Sequence, residues 1–177
     1  GQYDVAAFSN QYTDLVEPKF QNNARAFQFV NLTKGQINGL DVSVSAGRKD
    51  GRLLFNLAYL FLDGKDRSDP NNVLPLNYRS KHLLQASISV SPLRRLEVGV
   101  DFRYASTFER VDSDFGNFIP DATLHLPTKV WDTRLRYDFG KIQVSLLVKN
   151  AGEYYYMERP AILAPTRNFI LQLQSNL

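Results

Sequence analysis

The chain is expected to be all-β, a transmembrane antiparallel β-barrel of about eight strands. Three observations lead there. About eight segments alternate apolar and polar residues, most cleanly in Glu97-Val98-Gly99-Val100-Asp101-Phe102-Arg103-Tyr104. Successive strand side chains point to opposite faces, so such a segment is apolar on one side and polar on the other. The connections between segments alternate short and long, and aromatic residues gather where segments adjoin the long ones.

The segments follow in order. The first runs from about Tyr3 to Thr13, and a loop from Asp14 to about Arg25 holds Pro18. The second runs from about Ala26 to Gly47. Phe27 and Phe29 are odd-numbered whereas Leu40, Val42, Val44 and Ala46 are even, so the apolar face changes, which predicts a bulge or bend near Gly35 or Gly39. Lys49-Asp50-Gly51 is a tight turn. The third segment is about Arg52 to Leu62, then a long polar loop extends to about Arg79. The fourth, about Lys81 to Val90, sets Leu84, Ala86, Ile88 and Val90 against Gln85, Ser87 and Ser89. Ser91-Pro92-Leu93-Arg94 turns the chain into the fifth, about Arg95 to Thr107. A long loop, about Phe108 to Thr128, leads to the sixth, about Lys129 to Phe139, where Trp131, Thr133, Leu135, Tyr137 and Phe139 oppose Asp132, Arg134, Arg136 and Asp138. After a turn at Gly140 the seventh runs from about Lys141 to Asn150. A loop from Ala151 to about Thr166 precedes the eighth, which begins at Arg167. No segment has a convincing 3.6-residue period, so no helix of consequence is placed.

Short turns follow segments two, four and six, and long loops follow one, three, five and seven. Outer-membrane barrels have this asymmetry. Tyr12, Tyr59, Phe61 and Tyr104 lie late in strands approaching the long loops, and Phe27, Phe29, Trp131 and Phe169 lie early in strands returning, as an interfacial belt requires. A soluble eight-stranded barrel accounts for the alternation alone, with Val98, Val100 and Phe102 turned inward. Loop asymmetry and aromatic levels favour the membrane barrel, in which those residues face lipid.

Composition narrows function. The chain has no cysteine, which removes disulfides and thiol chemistry. A net charge of +3 with no block of Lys or Arg gives no nucleic-acid groove. No segment at the start has the pattern of a signal peptide, so none is expected. Asp112 and Asp114 lack the remainder of a calcium loop and read as solvated acids. His82 and His125 are isolated and make no metal pair. Asn31-Leu32-Thr33 matches a glycosylation sequon, which has no meaning in a bacterial outer membrane. No nucleophile–base pair, phosphate-cradling loop or carboxylate pair is present, so neither an enzyme nor a cofactor is expected. Segments five and six should pair, and their polar faces predict an ion-pair ladder, Asp101 with Arg134 and Arg103 with Asp132, within two residues of register.

Tyr3-Asp4-Val5-Ala6-Ala7-Phe8-Ser9-Asn10-Gln11-Tyr12-Thr13-Asp14-Leu15-Val16-Glu17-Pro18 resembles a strand and loop entry of TonB-dependent outer-membrane receptors. So do Phe29-Val30-Asn31 and Gly35-Gln36-Ile37-Asn38-Gly39-Leu40-Asp41. Val148-Lys149-Asn150, Tyr156, Arg167-Asn168-Phe169 and the alternating last segment are similar to that family's C-terminal signature, although the chain ends in Leu177 where the family usually has an aromatic residue. The resemblance implies a sector of a 22-stranded barrel in the bacterial outer membrane, its last eight strands. It implies partners outside this chain: an N-terminal plug, TonB as energy source, membrane lipid, and a scarce nutrient such as a ferric siderophore, haem or cobalamin. Arg25, Arg79, Arg110, Tyr154, Tyr155 and Arg159 fall on the expected outer loops, and cationic and aromatic groups suit anionic, aromatic iron complexes. The alternative is a self-closed eight-stranded barrel with a structural, adhesive or ligand-carrying role. It requires the first strand to pair with the last.

Overall fold

Alternation over this many segments produces one antiparallel sheet. The computed structural model describes residues 1–118, 126–159 and 162–175. The strands are β1 (Gln2–Gln21), β2 (Ala26–Gly47), β3 (Leu53–Asp66), β4 (Leu74–Pro75), β5 (His82–Leu93), β6 (Leu96–Ala105), β7 (Thr128–Asp138), β8 (Ile142–Lys149), β9 (Met157–Arg159), β10 (Ile162–Leu163) and β11 (Asn168–Ser175). The main sheet runs β1-β2-β3-β5-β6-β7-β8-β11, β4 adds to the end of β3, and β9 with β10 forms a separate small ribbon. β1 and β11 stand at opposite ends of this order and do not pair, so the self-closed eight-stranded barrel is not formed. The one helix among the described residues, α1 (Ser113–Phe118), is too short for periodicity to announce.

The two faces differ as the alternation requires. Val98, Val100 and Phe102 stand directly beside Leu135, Thr133 and Trp131 on one face. The Phe102 and Trp131 rings are 4.2 Å apart at the long-loop end, and Tyr137 and Phe139 are 4.6 Å apart at the short-turn end. Trp131 and Phe139 are eight residues apart, about 26 Å along a strand. Tilted by about 40°, the strand then covers about 20 Å of the membrane normal, which fits within the apolar band of roughly 25 Å between the aromatic girdles of a membrane barrel. Asp101, Arg103, Asp132 and Lys149 share the opposite face, and with Asn56 of β3 and Asn168 of β11 they line one concavity of about 680 Å³. A hollow spanning from β3 to β11 makes the polar face the inner one.

That assignment carries a test. Val100→Arg places a charge on the outward face at mid-strand, where it is expected to cost about 2–4 kcal/mol in lipid. Asp101→Asn, on the inner face, removes one exposed ion pair and is expected to cost under about 1 kcal/mol. Reversible unfolding from vesicles measures both, and the opposite ranking would invert the faces.

The first expected loop is corrected. β1 and β2 pair from Gln2↔Ser45 to Gln21↔Ala26, and only residues 22–25 remain as a turn. Pro18, taken as a loop residue, sits within β1 opposite Phe29. A strand tolerates proline where its missing N–H faces away from the strand it pairs with. β3 reaches only from Gly35 to Gly47 of β2, so the upper part of this hairpin projects beyond the sheet. The expected bend lies beside Gly35. The pairing register is the same on both sides, Thr13↔Lys34 and Leu15↔Leu32, but Asp14 takes a left-handed φ of 60°. Leu15 then lies against Gly35, where a Cβ would meet its Cδ2 at 2.7 Å.

The aromatic belt is also corrected in part. Tyr59 and Phe61 flank His82, with ring centroids 6.2 and 5.5 Å away. Phe27 is not on the belt: it packs on Phe20 and Phe115 above it. Tyr12 pairs with Gly35, on the polar face.

Candidate functional site

The inner wall is organised by charge. Gly99 stands directly opposite Arg134, and a Cβ there would meet the guanidinium at 2.8 Å. Its absence lets Arg134 lie across β6 between Glu97 (3.6 Å) and Asp101 (3.7 Å). Arg136 reaches the other oxygen of Glu97 at 3.3 Å. Higher on the wall, Asp132 Oδ2 meets Arg103 at 3.4 Å and Lys149 at 3.2 Å. Both expected pairs therefore form. They are diagonal, because Asp101 faces Asp132 directly. Most of these groups are partly exposed, so each pair contributes only about 0.2–1 kcal/mol. The ladder's larger effects are to hold register and keep the wall wet.

Asp132 is the exception, at 6% exposure. Its Oδ1 accepts the backbone N–H of Asn150 at 2.8 Å, which anchors the last long loop to the wall. Asn150 is 4% exposed and left-handed, with φ 49°. Its Nδ2 donates to the carbonyls of Tyr154 (2.8 Å) and Pro165 (3.3 Å), and its Oδ1 accepts from Tyr154 N (2.9 Å). Tyr156 and Pro165 of that loop complete the rim of the 680 Å³ hollow.

A second assembly stands at the long-loop end. Phe115 of α1, 1% exposed, packs on Phe20, Phe27 and Tyr78 with centroids 5.0–5.9 Å away. Asp112 caps α1 by accepting Asp114 N at 3.0 Å and ties it to β1 by accepting Phe20 N at 2.9 Å. Burial, with the nearby Asp112 charge, raises the pKa of the Tyr78 phenol far above its ordinary value, so it stays protonated. Three connections are thereby packed into one cover.

The expected ligand residues are placed unevenly. Arg79 donates to Glu17 at 3.0 Å, and Arg110 donates to the Pro75 carbonyl at 3.4 Å, so both are engaged in the cover. Arg25 is exposed at the hairpin tip, with φ 47°. Tyr154 donates its hydroxyl to the Pro127 carbonyl at 2.6 Å, whereas Tyr155 is 64% exposed. Arg159 belongs to β9, and its side chain lies outside what the structure describes, as does His125. Arg79 and Arg110 share one assembly; the tyrosines belong to another loop. The sequence reading missed Glu17, Lys149 and Asn150 as organising residues. Only the Val148-Lys149-Asn150 motif hinted at the last two.

A sheet with a lipid-compatible outer face, a charged concave inner face and unequal ends has the architecture of a sector of an outer-membrane-type β-barrel. The family model "TonB dependent receptor-like, beta-barrel" matches residues 1–151. The chain belongs to the TonB-dependent receptor family. It is similar in structure to the copper transporter OprC (TM-score 0.74, 16% identity, 97% of this chain and 27% of that chain). It is likewise similar to the siderophore receptor PiuA from Acinetobacter baumannii (0.69, 13%, 97% and 25%). A further match is the ferric-catecholate import receptor Fiu from E. coli K12 (0.69, 16%, 97% and 24%). The chain spans about a quarter of the length of these structures. No curated protein sequence matches it.

Proposed function

We propose that the chain is the C-terminal sector of the barrel of an outer-membrane active transporter. It takes up a scarce nutrient, such as a ferric siderophore or another metal complex, with energy delivered through TonB. A plug domain and the remaining strands belong to the same receptor, and transport involves no catalysis. The observation that carries this reading is the polar concave wall on an unclosed sheet of a TonB-dependent receptor fold. Such a wall, charged and wetted, suits passage of a hydrated complex once a gate moves. Of the six expected ligand residues, Arg25 and Tyr155 are the ones whose polar side-chain ends make no bond among the described residues. They are the ones we retain as first contacts.

The test is uptake by cells whose only relevant receptor carries this chain. Labelled ferric catecholate, haem, cobalamin and copper are supplied in turn. Accumulation of one of them is expected to depend on the receptor and to stop when the proton-motive force is dissipated. Receptor-dependent uptake that survives dissipation would identify a passive channel and overturn the reading.

A further inference from the structure

The cover contains a cavity of about 250 Å³ where β1, β2, the segment after β4 and the start of α1 meet. Its wall carries Glu17, Asp66, Asp112 and Asp114 against Lys19 and Arg110, and with Arg79 paired to Glu17 the formal excess is one negative charge. Two acceptors on this wall are left unfilled. Glu17 is 2% exposed; its Oε1 accepts from Arg79, while Oε2 is buried with no partner among the described residues. The buried Oδ1 of Asn77, from a different segment, is also without a partner there. Asp112 shows the contrast, since both its oxygens are filled by backbone N–H groups.

Buried acceptors without donors are destabilising, and a charged one more so. The chemistry missing from the cavity is therefore a hydrogen-bond donor, and the charge balance favours a cation. No three acidic or histidine side chains converge on a metal-sized point among the described residues. A primary ammonium carries three N–H donors and no acceptor. That suits Glu17 Oε2 and Asn77 Oδ1, with a carboxylate such as Asp114 on the same wall.

We propose that this cavity is a binding site for a small organic ammonium ion. Its ligands come from β1, the segment after β4 and α1, so occupancy ties together the three pieces of the cover. The site is a local property of the cover and does not rest on which nutrient is carried.

The test titrates putrescine into the full-length receptor carrying this chain, in detergent at low salt, by calorimetry. Saturable binding is expected, with methylammonium competing and acetate not. Glu17→Gln and Asn77→Leu are each expected to weaken it about tenfold, the loss expected of one charge-assisted or buried hydrogen bond. Asn77→Leu keeps the Arg79–Glu17 pair, so it guards against a Glu17 variant that merely misfolds. Absence of binding would overturn the proposal, as would binding indifferent to both substitutions. Calcium displacing putrescine would identify a metal site instead. Binding that emerges only in Lys19→Ala would make the chain's own Lys19 ammonium the occupant, and also overturn it. Nutrient uptake is read separately, so failure of either proposal leaves the other standing.

Discussion

Replacing Phe115 by alanine is expected to detach α1 from the hairpin and loosen the whole cover, at a local cost of about 3–4 kcal/mol. Phe115 is the ring that touches all of Phe20, Phe27 and Tyr78, and it is 1% exposed. Removing it leaves a cavity and abolishes three aromatic pairs, each contributing about 0.5–1.5 kcal/mol beyond area burial. A six-residue helix has no stability of its own, since nucleation alone is unfavourable at that length. The hairpin above Gly35 has no β3 beside it and leans on the same cluster. Hydrogen exchange on the receptor should therefore quicken over residues 108–118 and 15–30 together. Residues 142–149, in the sheet, should keep their protection. Faster exchange confined to α1 would show that the hairpin stands without it and that the cover is not one unit.

The sheet was legible because alternation is enforced by two different media. β6 and β7 have one mainly polar and one mainly apolar side, and from them came the faces, the pairing and both diagonal ion pairs. Turns at Gly51 and Gly140 could be read because each takes a positive φ, 71° and 96°. Where the chain leaves the membrane, alternation is no longer enforced and reading fails. The upper part of β1 was taken for a loop because proline usually marks a strand's end, yet Pro18 is accommodated within the β1–β2 pairing, opposite Phe29. α1 is held by one phenylalanine and one cap, which leaves no period to find. The ligand residues were chosen by charge and exposure. Polar groups on these loops are instead spent on other segments of the chain: Arg79 on Glu17, Arg110 on the Pro75 carbonyl, Tyr154 on the Pro127 carbonyl. Glu17 could not have been singled out, because its importance arises from burial beside segments sixty and ninety-five residues away, near Asn77 and Asp112.

Asn150 supports the second large prediction. Asn150→Ala is expected to release the loop over residues 151–167 at a cost of about 3–4 kcal/mol. Two separable causes contribute. The first is conformational: a φ of 49° is tolerated by asparagine and disfavoured for alanine by about 1 kcal/mol. The second is polar: the substitution removes three side-chain hydrogen bonds and leaves Tyr154 N, Tyr154 O and Pro165 O to find other partners. Asn150→Gly relieves the first and keeps the second, so it should be the milder variant by about that 1 kcal/mol. The bond from Asn150 N to Asp132 survives in both, which keeps the loop's root on the wall. Limited proteolysis and exchange over 151–167 should rank wild type, glycine and alanine in that order. Equal behaviour of the two variants would assign the whole effect to hydrogen bonds. Because Tyr156 and Pro165 form the rim of the inner hollow, the same ranking should appear in uptake of whichever complex the receptor carries. Loss of uptake in alanine with an intact loop would instead place Asn150 in direct contact with the cargo.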